Sequence, residues 1–291
     1  MVLGNSLKVH RVSVHGGHSG QFCNHAEDSL EDIVLAYIDA GFSWFGVTEH
    51  MPAVSEGFVY PDEKDAGLNA KSLQSRFQDY FTESRKLKEK YRHQVEILVG
   101  FEIESCTGSA EFVAQTIDRY KPDYLVGSVH HVSDMMIDFS GEEYEKAVQY
   151  HGGYEALYCA YFDQQFEMIE KFAPSVVGHF DLVRIYDANY ADTLRIPSVS
   201  ARVTRNLQAI QSLDLIIDYN LAGFDKIGSE PYPTQSILRE AVELGIAIVP
   251  GDDSHGVKMV GRHFDKGLQQ LVDAGVTTDF PKPRLIKLGA G

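Results

Sequence analysis

Short β-branched and aliphatic runs recur along the chain, with amphipathic stretches between them. The runs predict strands at Val12–Val14, Phe45–Thr48, Val95–Gly100, Tyr124–Val129, Val176–Gly178, Leu215–Tyr219 and Ile246–Pro250. The gaps predict helices over Ser29–Ala40, Ala110–Tyr120, Gly153–Phe172, Ser200–Leu213 and Thr234–Leu244. Asp28 stands where a cap would precede the first of these. A longer polar helix is predicted over Lys71–Arg92. Three polar segments, Ser55–Leu68, Ser133–Gly153 and Arg184–Ser198, read as excursions from the repeat. Strand alternating with helix predicts a mostly parallel sheet with helices outside. A closed barrel and an open doubly wound sheet both satisfy the pattern. Gly16, Gly17 and Gly20 follow the first strand, but their spacing fits neither nucleotide-binding glycine motif.

The chemistry lies where the strands end. His15 and His18 follow the first strand, with His25 soon after. Glu49 and His50 follow the second, Glu102 and Glu104 the third, His130 and His131 the fourth. His179 and Asp181 follow the fifth, Asn220 ends the sixth, and Asp252, Asp253 and His255 follow the seventh. In parallel α/β folds those ends share one face, where active sites form. Any one of these histidines alone is as well read as a surface residue. Seven of the 12 histidines at strand ends, however, point to a common site. Imidazoles mixed with carboxylates suit Zn, Mn, Fe or Co better than Mg. The ligand supply exceeds what one four-coordinate ion needs, which predicts two or three divalent transition-metal ions with Glu102 as the bridging carboxylate.

Composition narrows the partners. The chain has 291 residues and a formal net charge of -16, from 26 Lys and Arg against 42 Asp and Glu. So acidic a surface repels long nucleic acid and anionic membrane but leaves a small anionic phosphoester possible. Three cysteines, Cys23, Cys106 and Cys159, without a CxxC pair, suit a reducing compartment. Met1–Val14 lacks an apolar signal core, and no apolar run is long enough to span a bilayer, so the cytoplasm is expected. No linker or composition shift divides the chain, and one domain over 1–291 is expected. The oligomeric state is left open.

The motifs taken together resemble the polymerase and histidinol phosphatase (PHP) superfamily, in its histidinol-phosphatase branch. The resemblance is carried by HGGHSGQFCNHA (15–26), GVTEHMP (46–52), GFEIE (100–104), GSVHHV (127–132), GHFDLVR (178–184), EPYP (230–233) and GDDSHG (251–256), in the family's order over nearly the whole chain. It implies a distorted TIM-like (β/α)7 barrel and hydrolysis of L-histidinol phosphate by a hydroxide held on the metal ions. The ligands it implies are His18, His25, His50, Glu102, His130, His179, Asp253 and His255. One departure concerns the family's opening HxH. Here Gly16 stands two residues before His18, and the nearest histidine is His15. On a regular strand His15 and His18 would face opposite ways. A bend at Gly16-Gly17 is expected to turn His15 into the site as a further ligand.

The remaining roles follow from that reading. Asp253 and His255 are candidates for protonating the leaving group. Arg184 is the expected cation for phosphate, with Lys226 second. Glu56, Tyr60, Asp62 and Asp138 are options for surrounding the cationic half of histidinol. Asn220 either touches substrate or ties the barrel mouth, and Asp181 is placed to orient His179. Cys23 is read as a small buried side chain. The alternatives are a related phosphatase or phosphodiesterase acting on a nucleotide, an amidohydrolase, and a non-catalytic metal-binding protein with a degenerate site. No lysine at a strand end offers the amidohydrolase its carbamylated bridge.

Overall fold

The computed structural model describes residues 10–226 and 228–286. The first nine residues, on which part of the signal-peptide expectation rests, lie outside them. Among the described residues the strands are β1 (Arg11–Ser13), β2 (Phe42–Val47), β3 (Glu96–Val99), β4 (Phe101–Ile103), β5 (Leu125–Gly127), β6 (His131–Val132), β7 (Met135–Met136), β8 (Val176–Val177), β9 (Ile216–Asn220) and β10 (Ala247–Gly251). β1, β2 and β3 pair in parallel, and so do β4, β5, β8, β9 and β10. Only Gly100 separates β3 from β4, so the two sheets share one stave. The Gly100 and Glu102 amides donate to the Val47 and Glu49 carbonyls, which carries β2 onto β4. The ring closes where the Val14 amide donates to the Pro250 carbonyl and the Asp253 amide to the His15 carbonyl, both at 2.9 Å. The result is a distorted TIM-like barrel of seven staves, and this decides between the two sheet arrangements left open by the sequence pattern.

The helices form where local chemistry allows. The first runs Leu30–Asp39, and its cap is Ser29, whose hydroxyl accepts from the Asp32 amide at 3.1 Å. Asp28, the expected cap, instead holds the Val257 amide at 2.8 Å. The long polar helix is Ala70–Tyr91, capped by Asn69. Pro197 opens the helix Pro197–Ser212 three residues before the expected start, because proline suits the first turn. Two features depart further from expectation. The segment 133–153 holds β7, which pairs back on β6 as a hairpin, and a helix, Gly141–His151, capped by Ser140. A last helix, Phe264–Asp273, follows β10. No described helix is long and apolar enough to cross a membrane.

Inside the barrel, space is allotted by glycine. The buried Tyr124 hydroxyl donates to the Val14 carbonyl at 2.6 Å, reaching across the staves. It fits because Gly46 has no side chain: a Cβ there would lie 1.7 Å from the Tyr124 hydroxyl oxygen. Interiors packed this closely do not absorb an added methyl without moving. Gly46→Ala should therefore destabilise the protein by about 1–3 kcal/mol. The check is a lowered urea midpoint with an unchanged slope.

Candidate active site

Parallel staves bring their C-terminal ends to one face, and the predicted histidines gather there. The chain leaves β1 and turns sharply. Gly16 has φ +150° and Gly17 φ +74°, values that favour glycine. A Cβ on Gly16 would also lie 2.5 Å from an Asp252 carboxylate oxygen. The turn sends both His15 and His18 inward, fully buried, with ring centroids 5.7 Å apart.

Glu102 lies at the centre. Its Oε1 is 2.9 Å from His179 Nε2 and 3.3 Å from His130 Nε2. Its Oε2 is 2.7 Å from His50 Nδ1 and 3.4 Å from His15 Nε2. Asp253 stands on the other side, its Oδ1 3.3 Å from His18 Nε2 and 3.8 Å from His15 Nε2. His25 and His255 complete the cluster, their rings stacked at 4.9 Å.

The outward nitrogens determine what the inward ones can do. His15 Nδ1 donates to Asp218 at 2.8 Å, His18 Nδ1 to Glu49 at 3.2 Å, and His130 Nδ1 to Glu104 at 2.7 Å. His255 Nδ1 donates to the Asp253 carbonyl at 2.9 Å. Each neutral ring then has a lone pair on Nε2. Those lone pairs face the carboxylates of Glu102 and Asp253 and the Nε2 atoms of His179 and His50, at 3.2 Å from His130 and 3.4 Å from His255; His179 Nε2 is also placed to donate to Glu102 Oε1 at 2.9 Å. The His50 contact with Glu102 is out of line for a hydrogen bond. His15 Nε2, His18 Nε2, Glu102 Oε2 and Asp253 Oδ1 are all buried with no hydrogen-bond partner. Burying acceptor against acceptor is costly unless a cation lies between them.

Protons cannot be that cation throughout. Burial pushes His18 down, but the Asp253 and Glu49 carboxylates beside it outweigh that and carry its pKa up to about 9. His15 and His130 are raised in the same way, by Glu102 with Asp253 and by Glu104 with Glu102. At the other end, burial and the neighbouring histidines His50 and His18 push His25 down to about 4. Burial and His18 hold His255 well below its usual value. Metal ions satisfy both ends. Ligand atoms lie within 4.8 Å of one another in overlapping groups that include His15–His18–Glu102, His18–Asp253–His255 and Cys23–His25–His50–His255.

The comparison with known proteins agrees with this geometry. The PHP domain model matches residues 16–222. The chain belongs to the PHP domain family. A "Probable histidinol-phosphatase" of Schizosaccharomyces pombe is 36% identical over 271 residues, covering 92% of this chain and 88% of that protein. The "Histidinol-phosphatase" of Saccharomyces cerevisiae is 29% identical, covering 89% and 88%. A Listeria monocytogenes crystal structure assigned to the same activity superposes with TM-score 0.78 at 28% identity, covering 88% of this chain and 99% of that one. The Lactococcus lactis histidinol phosphate phosphatase, solved with zinc, L-histidinol and phosphate, shares the fold at TM-score 0.73 and 21% identity, covering 95% and 99%.

Within this PHP site a cleft of about 450 Å³ opens over His50, Glu102 and His130. Tyr60, Asp62 and Asp138 line it. Glu56 does not: it is exposed and holds the Ala70 amide at 3.1 Å. Cys23 is buried and free. Asn220 ties the mouth together, donating to Asp218 at 2.9 Å and to Asp253 at 3.1 Å.

Four expectations are corrected. Asp253 and His255 are poor acids. His15 and His18 overcome the effect of burial to hold the Asp253 carboxyl well below the usual range, and His255 is held neutral. Neither has a proton to give near neutral pH. Asp181 does not reach for His179; it lies 3.3 Å from the Arg184 Nε and accepts from the Thr234 amide at 3.1 Å. Lys226 is exposed beyond β9 and is not among the residues lining the cleft. Arg184 is fully buried and donates to the Glu230 and Pro231 carbonyls, each at 2.8 Å. Its guanidinium lies 4.1 Å from the Tyr232 ring centroid, and that ring is 6.4 Å from the ring of His179. Arg184 thus positions the wall beside His179, because its charge is spent on Asp181 and main-chain carbonyls.

Asp218 is the functional residue that sequence reading missed. It sits mid-strand in an apolar run, away from the strand end. Alternation puts Asp218 and Asn220 on the same face of β9, and a charge there needs a partner.

Two outcomes follow for the PHP cluster. Zinc loading at pH 7 should release protons, because ligating nitrogens must be free of them and the carboxylates keep His18 protonated up to about pH 9. Apparent affinity should therefore climb with pH through that value, as read by titration calorimetry in buffers of different ionisation enthalpy. Asp218→Asn, which removes the carboxylate behind His15, should weaken metal affinity by roughly 10- to 100-fold. Competition with a chromogenic chelator measures it.

Proposed function

We propose that this protein hydrolyses L-histidinol phosphate to L-histidinol and phosphate, using two or three divalent transition-metal ions. The observation that carries this reading is the set of buried imidazole lone pairs and carboxylate oxygens turned on one another around Glu102, at the floor of a cleft. The names of the full-length relatives support the substrate, and the zinc, L-histidinol and phosphate in the Lactococcus lactis structure support the class of site.

The donor set fits the ions, and His15, His18, Glu102 and Asp253 would hold one. Glu102, His130 and His179 would hold a second, and His25, His50 and His255 a third. Ions held there supply Lewis acidity and a water of lowered pKa. The residues supply the rest. Glu102 would offer Oε2 to the first position and Oε1 to the second. Asp218, Glu49 and Glu104 lock His15, His18 and His130 in the tautomer that turns Nε2 inward. Asn220 fixes the Asp253 carboxylate. Water attacks phosphorus, the bond from phosphorus to the histidinol oxygen breaks, and one proton of that water ends on the histidinol oxygen, so that phosphate and the free alcohol are released, while the buried walls keep bulk solvent from the reacting group.

The substrate is a small phosphomonoester, and the chain's acidity weighs against long nucleic acid. Three free cysteines suit the cytoplasm. The test is steady-state hydrolysis by metal-loaded protein. L-histidinol phosphate should be preferred over other monoesters and over a diester, with activity lost to a chelator and restored by zinc or manganese. Turnover of a nucleotide in preference to L-histidinol phosphate would overturn the assignment.

A further inference from the structure

We infer that Asp138 binds a positively charged nitrogen on the leaving group, so that the cleft selects phosphomonoesters of cationic alcohols. The inference rests on the proposed phosphatase reading and names the residue that sets its specificity.

The cleft is acidic away from its floor. Among the described residues lining it there is no Lys or Arg, whereas Asp62, Glu63, Glu104 and Asp138 all line it. Most of those carboxylates are already engaged. Glu104 is held by His130, His131 and the Ser105 amide. Glu63 caps a helix at the Tyr60 amide, at 2.9 Å. Asp62 accepts from the Asn24 side chain at 3.0 Å. Glu49, deeper in the wall, serves His18 and the amides of Ser19 and His50.

Asp138 differs. Its Oδ1 is buried and has no hydrogen-bond partner. Among the carboxylates lining the cleft, only Glu102 shares that property, and the unpartnered oxygen of Glu102 faces the histidine cluster. The main chain fixes Asp138, since its carbonyl accepts from the Tyr186 hydroxyl at 3.1 Å. Its charge acts on Tyr60, His131 and Tyr232, which places it beside the wall leading to the metal cluster. Flat surfaces adjoin it: Tyr60 lies 5.5 Å from His131 and 6.0 Å from Phe139, centroid to centroid. A half-buried carboxylate with one buried, unpartnered oxygen beside aromatic faces is matched by an ammonium or imidazolium group. A second anionic group on the substrate, such as a further phosphate, meets like charge there.

The test uses the metal-loaded protein and Asp138→Asn, which keeps the volume and removes the charge. The ratio of kcat/KM for L-histidinol phosphate to that for p-nitrophenyl phosphate should fall roughly 10- to 100-fold, the size of one charged hydrogen bond. The loss should lie in KM. An unchanged ratio overturns the inference. A second measurement needs no variant: 2-aminoethyl phosphate against propyl phosphate with the unmodified protein. The ammonium compound should be the better substrate by roughly tenfold or more, and equal rates overturn the inference. Should 2-aminoethyl phosphate outrun L-histidinol phosphate itself, the proposed substrate fails while the role of Asp138 stands.

Discussion

The site depends on one constraint, which is that buried acceptors face one another across Glu102. Asp218, Glu49, Glu104 and the Asp253 carbonyl each take a proton on the outward nitrogen of a histidine. The inward nitrogens are left facing carboxylates and each other. Protons fill some of those positions, at His15, His18 and His130, but not those at His25 and His255, and metal ions fill both kinds. The outer acids therefore matter as much as the inner ligands, although they touch nothing that reacts.

The closed barrel holds that arrangement in place. Closure between β1 and β10 is made by backbone bonds whose neighbours are site residues: the Asp253 amide donates to the His15 carbonyl, and the His18 amide to the Ser254 carbonyl. Closing the sheet and assembling the first metal position are one event. This explains why two adjacent glycines, Gly16 and Gly17, stand where a strand would otherwise continue. A residue with a side chain at Gly16 would meet Asp252, Tyr37 and the Ser254 amide. The departure from the family's usual opening histidine pair is thus absorbed by backbone geometry, and both histidines still reach the site.

The candidate metal ligands and the proposed substrate contacts come from different parts of the chain. The ligands sit at stave ends and are held by the rigid sheet. Tyr60, Asp138 and Phe139 sit on the excursions, where side chains can differ without disturbing the staves. Arg184 belongs to neither group. Its side chain braces the 230–232 segment, and its guanidinium packs on the Tyr232 ring beside His179.

The sequence by itself determined the staves, most helices, the family and the cluster of ligands, because these are local or periodic. A run of β-branched residues makes a strand wherever it sits, and a histidine just past its end must lie on the common face. Barrel closure, the inward turn of His15, the partner of each imidazole and the burial of Arg184 were decided only by the tertiary structure. Asp218 shows why. Its neighbours in sequence are apolar, and its partner, His15, lies 203 positions away. The helix at 141–151 went unread because its polar face made the segment look like loop, although Ser140 and Gly152 mark its two ends. Sequence states which groups a chain can offer. Which lone pair each group presents, and to what, depends on contacts between residues far apart in the chain, and those form only when the sheet closes.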